Sequence, residues 1–257
     1  MTALRKWIAA RRMEVVAPAI QAVRNYKEAL QTDDQVHVQG YRLLPPFKRV
    51  LEPNDFQDEL AAVLVGAEAK GRKGHASIGY AYICLQREFI SKNPDRYRKP
   101  RLRFVGFDQS TYGATKLCEQ LEHDLGKQFE TQAGLPHQEC LDFILRSNLS
   151  LCASAMECLP NSIFEGMFAG HALIRNACSG LDEQLIPNEN GYLFDSNSFE
   201  SLIDALERIH NREKTSNEKL AAMSAKSVEL ASRQEQNSFQ PLVQRIKKHF
   251  NPTHVPF

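Results

Sequence analysis

Apolar and polar positions fall into short alternating blocks along this chain. The run LAAVLVGA (60–67) is apolar throughout and ends in small residues, which suits a parallel strand buried on both faces. RLRFVGFD (101–108), FETQAG (129–134), NLSLCAS (148–154), ALIRNA (172–177) and GYLFD (191–195) read as further strands. Between and after them, residues 74–90, 111–128, 136–147, 161–170 and 198–211 carry helical spacing. Residues 3–30 read as helix divided at Pro18, and the three prolines of YRLLPPFKRVLEPND (41–55) predict an extended linker. The tail from 218 to 250 reads as two more helices. The alternation predicts an α/β fold, a Rossmann-like parallel sheet with helices on both faces and extra helices at both ends. Ligands of such sheets bind at the carboxyl ends of the strands, beside helix N-termini. The loops after Gly66, Gly106, Ala133, Ser154 and Ala177 are therefore where chemistry is expected.

Charge and cysteine usage narrow the function classes. Lys plus Arg number 32 and Asp plus Glu 31, so no global charge draws the chain to nucleic acid or an acidic membrane. KNPDRYRKPRLR (92–103) is a basic run around Tyr97, but it precedes a strand and so lies at the end of the sheet opposite the ligand loops. A solvated loop is expected there, and no nucleic-acid partner. The six cysteines form no C-x-x-C pair, which leaves zinc and redox motifs unsupported and favours buried free thiols in a reducing cytoplasm. No apolar run is long enough to cross a bilayer. The basic N-terminus, MTALRKWIAARRMEVV, lacks the core of a secretory signal and reads as a solvated helix rather than a membrane-surface anchor. GAEAKGRKGH (66–75) approaches a phosphate-binding loop but has Arg72 where that motif needs lysine.

The informative stretch is SAMECLPNSIFEGMFAGHALIRNACSGLDEQLIPNENGYLF (154–194). Glu157 falls in the loop after a strand, and Glu165 eight positions on, inside a helix beginning near Pro160. Proline suits a first helical turn, where its missing N–H costs nothing. Asn161, Ser162 and Ile163 would then offer backbone N–H groups at a positive helix end, a place for a phosphate or sugar hydroxyls. A carboxylate one turn deeper has two acceptor oxygens, enough for both hydroxyls of a ribose. Taken alone, two such carboxylates are better read as solvated side chains, and it is the surrounding pattern that reverses this. Cys158 shows no base that would activate it. His137 and His171 read as isolated surface or packed histidines.

Taken together, Glu157, Pro160, Asn161, Glu165, Met167, Ala169, Gly170, Gly180, Glu183, Asn190 and Gly191 make a 35-residue pattern. It resembles the retaining GT-B glycosyltransferases of the group-1 family, whose run is Glu-x-x-Pro-Asn-x-x-x-Glu-Ala-Met-Ala-x-Gly, then Gly-Gly-x-x-Glu, then Asn-Gly-x-Leu. Upstream, the family's Lys-Gly lies seven positions after the glycine that ends a strand, and here Lys73 and Gly74 follow Gly66 at that spacing. The sequence departs from the pattern at Ala67, where the family has arginine, at Gly166 for alanine, and at His171-Ala172, where a proline is frequent. Arg72 or Lys70 is placed to supply the charge lost at Ala67.

The resemblance implies a nucleotide diphosphate sugar as donor, held with its ribose on Glu165, its diphosphate on Lys73 and its sugar beside Glu157. The backbone from Leu159 through Pro160 and Asn161 to Ser162 would meet sugar hydroxyls and phosphate. It implies transfer of a hexose with retention, through a cation-like state, with positive groups neutralising the leaving diphosphate. No Asp-x-Asp pair is present, and neither metal nor cofactor is expected. Glu183 and Asn190 are expected to shape turns. The strands fill one half of a GT-B enzyme, the C-terminal one. Residues 1–57 are expected to be a helical remnant and interdomain linker, and 58–257 the donor-binding domain. A fragment, or one subunit of a split enzyme with a separate N-terminal half and an acceptor not readable here, is therefore expected. The alternative is a sugar-nucleotide-binding module that transfers nothing on its own.

Overall fold

The computed structural model describes residues 15–17, 36–38, 45, 47–66, 72–108, 112–154, 160–177 and 184–249, and among these not the side chains of 15–17, 36–38, 112 and 236–249. Two compact units are distinguished, Met1–Leu44 with Ser232–Phe257, and Pro45–Ala231. In the first, β1 (Val15–Ala17) pairs in parallel with β2 (Val36–Val38). At these positions β1 replaces the helix expected over 3–30. Val15 and Val16 are β-branched, a residue type that favours extended backbone. The rest of that expected helix lies outside the described residues.

The second unit is built on six parallel strands: β3 (Glu59–Val65), β4 (Lys99–Val105), β5 (Phe129–Gln132), β6 (Leu149–Cys152), β7 (Ala172–Asn176) and β8 (Gly191–Phe194). Their order across the sheet is β5-β4-β3-β6-β7-β8. Counted from β3, this is the 3-2-1-4-5-6 order of the Rossmann sheet. Both faces are covered, which is why the strands read as nearly continuous apolar runs. Leu60, Ala62 and Leu64 of β3 and Leu102 and Phe104 of β4 enter one core, while Val63 and Val105 between them enter another. The first core also takes residues of α1 (His75–Cys84), α2 (Tyr112–Leu125) and α5 (Phe199–His210). On the opposite face lie α3 (His137–Leu145) and α4 (Asn161–Phe168).

Two expectations about surface and tail are corrected. The basic run 92–103 is not a solvated loop throughout. Arg98 is 1% exposed, donating to the Phe56 carbonyl at 2.8 Å and to Asn217 Oδ1. Arg103 is also buried, donating to the Arg146 carbonyl at 2.7 Å and Ser147 Oγ at 3.0 Å. Internal carbonyls and side-chain oxygens satisfy these guanidiniums, so the run makes no continuous basic stripe. The tail is one 33-residue helix, α6 (Asn217–His249), rather than two. Pro241 removes one donor from its ladder without ending it. None of the described helices is long and apolar enough to cross a membrane.

Candidate functional site

The chain runs from β3 to β4 on one side and from β6 to β7 on the other, so strand order reverses between β3 and β6. Their carboxyl ends open a crevice at that reversal. Gly66 closes β3 with its N–H on the Val105 carbonyl at 2.8 Å and φ of +146°. The stem of Lys73 lies over it: a Cβ at Gly66 would stand 3.0 Å from Lys73 Cε. Gly74, at φ +76°, begins α1 hard against the end of β6, where an added Cβ would come within 2.5 Å of the Ala153 carbonyl oxygen. Glycine is required there by both conformation and space. The contact sets Lys73 beside the ends of both central strands.

From the β6 side, α4 begins at Asn161 after Pro160 as N-cap. The Pro160 carbonyl accepts from the N–H groups of Ile163 and Phe164 at 3.2 and 3.3 Å. Ile163 is therefore not a donor for a ligand as expected, and the first turn presents Asn161 and Ser162. Ser162 Oγ donates to the Val65 carbonyl at 3.4 Å, tying this turn to the end of β3. Lys73, Pro160, Asn161 and Ser162 are thus brought together at the crevice. Glu157, Leu159 and Cys158 lie outside the described residues.

Glu165 sits one turn into α4 with its side chain 6% exposed. His137 Nε2 donates to its Oε1 at 2.7 Å. His137 is the first residue of α3 and its side chain is 53% exposed. It is therefore not isolated, contrary to expectation. The signal was positional: a helix that follows β5 directly must start at the ligand end of the sheet. One turn further, burial pushes the Cys140 thiol up, with the charges of Glu165 and Glu139 adding to it. That is the opposite of what a nucleophile needs.

His171 is packed, as expected, and fully buried. Its Nε2–H donates to the Ile144 carbonyl at 3.0 Å, so Nδ1 accepts from Ser150 Oγ at 2.8 Å. Burial brings its pKa down to about 3. Asn190 shapes a turn, accepting from the Ile186 N–H at 2.8 Å and donating to the Gln184 carbonyl at 2.9 Å. Glu183 lies outside the described residues.

The lysine, the helix N-terminus and the buried carboxylate thus lie at the switch point of a doubly wound sheet, the place where such α/β domains bind their ligands. Residues 78–227 match the model of the family described as glycosyl transferases group 1. The chain belongs to that family, and its fold is the Rossmann-like one of GT-B glycosyltransferases.

Solved structures agree on the fold. Sucrose-phosphate synthase from Thermosynechococcus elongatus superposes with a TM-score of 0.66 at 17% identity, over 93% of this chain and 58% of that one. The C-terminal domain of a group 1 family protein, LpcC, from Francisella tularensis matches with a TM-score of 0.56 at 17% identity, over 73% of this chain and 94% of that domain. Anabaena HepE in complex with UDP-glucose gives 0.64 at 13% identity, over 90% and 64%. The chain thus spans less than two thirds of the length of sucrose-phosphate synthase and HepE. No curated protein matches the chain.

Proposed function

We propose that this chain is the donor-binding half of a glycosyltransferase that moves a hexose from a nucleotide diphosphate sugar with retention of configuration. The observation that carries the reading is the buried carboxylate of Glu165 behind the α4 N-terminus, on the helix whose first turn is tied through Ser162 to the end of β3 at the switch point. Glu165 takes the ribose. Lys73 takes the diphosphate as a point charge on a long stem. The N–H groups of Asn161 and Ser162, with the backbone of Leu159 and Pro160, take phosphate and sugar hydroxyls. Glu157 stands by the donor sugar. The binding of UDP-glucose by Anabaena HepE, a protein of the same fold, supports this class of donor.

The acceptor would be held by a separate N-terminal half, a reading supported by the 58% share of the sucrose-phosphate synthase chain that is matched. On that ground a sugar-nucleotide-binding subunit, inactive until paired, is the second reading. Free thiols at Cys84, Cys118, Cys140 and Cys152 support a cytoplasmic setting. Calorimetric titration with UDP, GDP and ADP and their sugar conjugates tests the donor site. Saturable binding of one nucleotide is expected, weakened more than ~10-fold in Glu165→Ala, the scale of a lost charged hydrogen bond. A mutant that binds as tightly as the parent would remove Glu165 from the site.

A further inference from the structure

The pair formed by His137 and Glu165 constrains how a nucleoside can be held, an inference that rests on the ribose site proposed above. A carboxylate has two oxygens, and a ribose offers two adjacent hydroxyls. With both oxygens available, the two hydroxyls would be bound alike. Here Oε1 of Glu165 already accepts from His137 Nε2 at 2.7 Å. Glu165 is almost fully buried, and a buried carboxylate oxygen that loses its donor is costly. His137 is itself well placed to stay. It is anchored as the first residue of α3, and α3 packs on α4.

We propose that His137 is a positioning residue that fixes the Glu165 carboxylate in one orientation, with Oε1 already accepting one hydrogen bond and Oε2 turned to the nucleoside. The site then holds the two ribose hydroxyls unequally through Glu165, one on Oε2 and the other more weakly on the shared Oε1. His137 reaches the ligand through Glu165.

The test is calorimetric titration of the full chain with UDP, GDP and ADP, each alongside its 2′-deoxy and 3′-deoxy analogues. The proteins are the parent, His137→Ala, His137→Gln and Glu165→Ala. In the parent, loss of one hydroxyl should weaken binding about tenfold and loss of the other less than about threefold, since one charged hydrogen bond is at stake. In His137→Ala the carboxylate is free to turn, and the two deoxy analogues should become alike. His137→Gln, which restores an N–H donor, should restore the asymmetry. A general effect on folding would shift all ligands together and leave their ratio unchanged.

Equal losses for both analogues in the parent would overturn the proposal, as would a ratio unchanged in His137→Ala. So would uniformly tighter binding by His137→Ala, which would make the histidine a competitor that the ligand displaces. If no nucleotide binds the parent, or if Glu165→Ala binds as well as the parent, the ribose site itself is wrong and the inference falls with it. That result is distinguishable, because it appears before any deoxy analogue is compared.

Discussion

Gly166 stands where the family pattern has alanine, and Ser150 explains why. A Cβ at Gly166 would collide with Ser150 Oγ and stand 3.1 Å from His171 Nδ1. Ser150 in turn needs His171 as acceptor. The two departures from the pattern, at 166 and 171, are thus one packing solution shared by three side-chain positions. Gly166→Ala should cost about 1–3 kcal/mol in urea unfolding, as overpacking does. In a Ser150→Ala background most of that cost should vanish, and equal costs in both backgrounds would refute the coupling. The sequence showed both departures, since each breaks a pattern. It did not show their connection, because Ser150 meets them only once β6 is laid beside β7. The pairing of His137 is illegible for the same reason: its partner lies 28 positions away, across two helices whose packing no local spacing reveals.

At the scale of elements, the strands and most helices were legible because apolar periodicity records which faces are buried. Arg98 was not, because periodicity counts arginine as polar wherever it points. Its acceptors, Phe56, Ile209 and Asn217, lie 42, 111 and 119 positions away. One guanidinium therefore joins the segment before β3, the end of α5 and the start of α6. Burial is the main cause that brings its pKa down to about 10, with Arg212 adding to it, so it stays charged at neutral pH. Arg98→Met should lower unfolding free energy by about 2–4 kcal/mol, because it strands buried acceptors from three elements at once. An unfolding midpoint within error of the parent would show that the apolar stem carries the role. The single long α6 is not legible either: Pro241 signals a break in sequence, whereas a helix can continue through the loss of one donor.

Over the whole molecule, two buried histidines make stability depend on pH. Burial depresses His171 to about 3 and His210 to about 4 from an ordinary 6.5. Below 6.5 the unfolded chain takes up protons that the folded one refuses, so stability rises with pH across this range. The contribution is whole above 6.5 and is lost progressively as pH falls toward 4 and then 3. At pH 5 each histidine should cost roughly 2 kcal/mol relative to neutral pH. Urea midpoints measured at pH 7 and pH 5 check this, and replacing His210 with Gln should flatten the difference. The seam of the sheet has a consequence of another kind. β3 and β6 share two register pairs, against seven for β3 with β4 and four for each other neighbouring pair. Asn148 compensates from its side chain, accepting from the Ala61 N–H at 2.8 Å and donating to the Asp55 and Glu59 carbonyls. Each half of the sheet is assembled from near neighbours along the chain, while the seam joins segments some 87 positions apart. Loop closure makes such long-range pairing slow. A refolding chain should therefore regain its helices well before its crevice, and ligand affinity would be the last property to return.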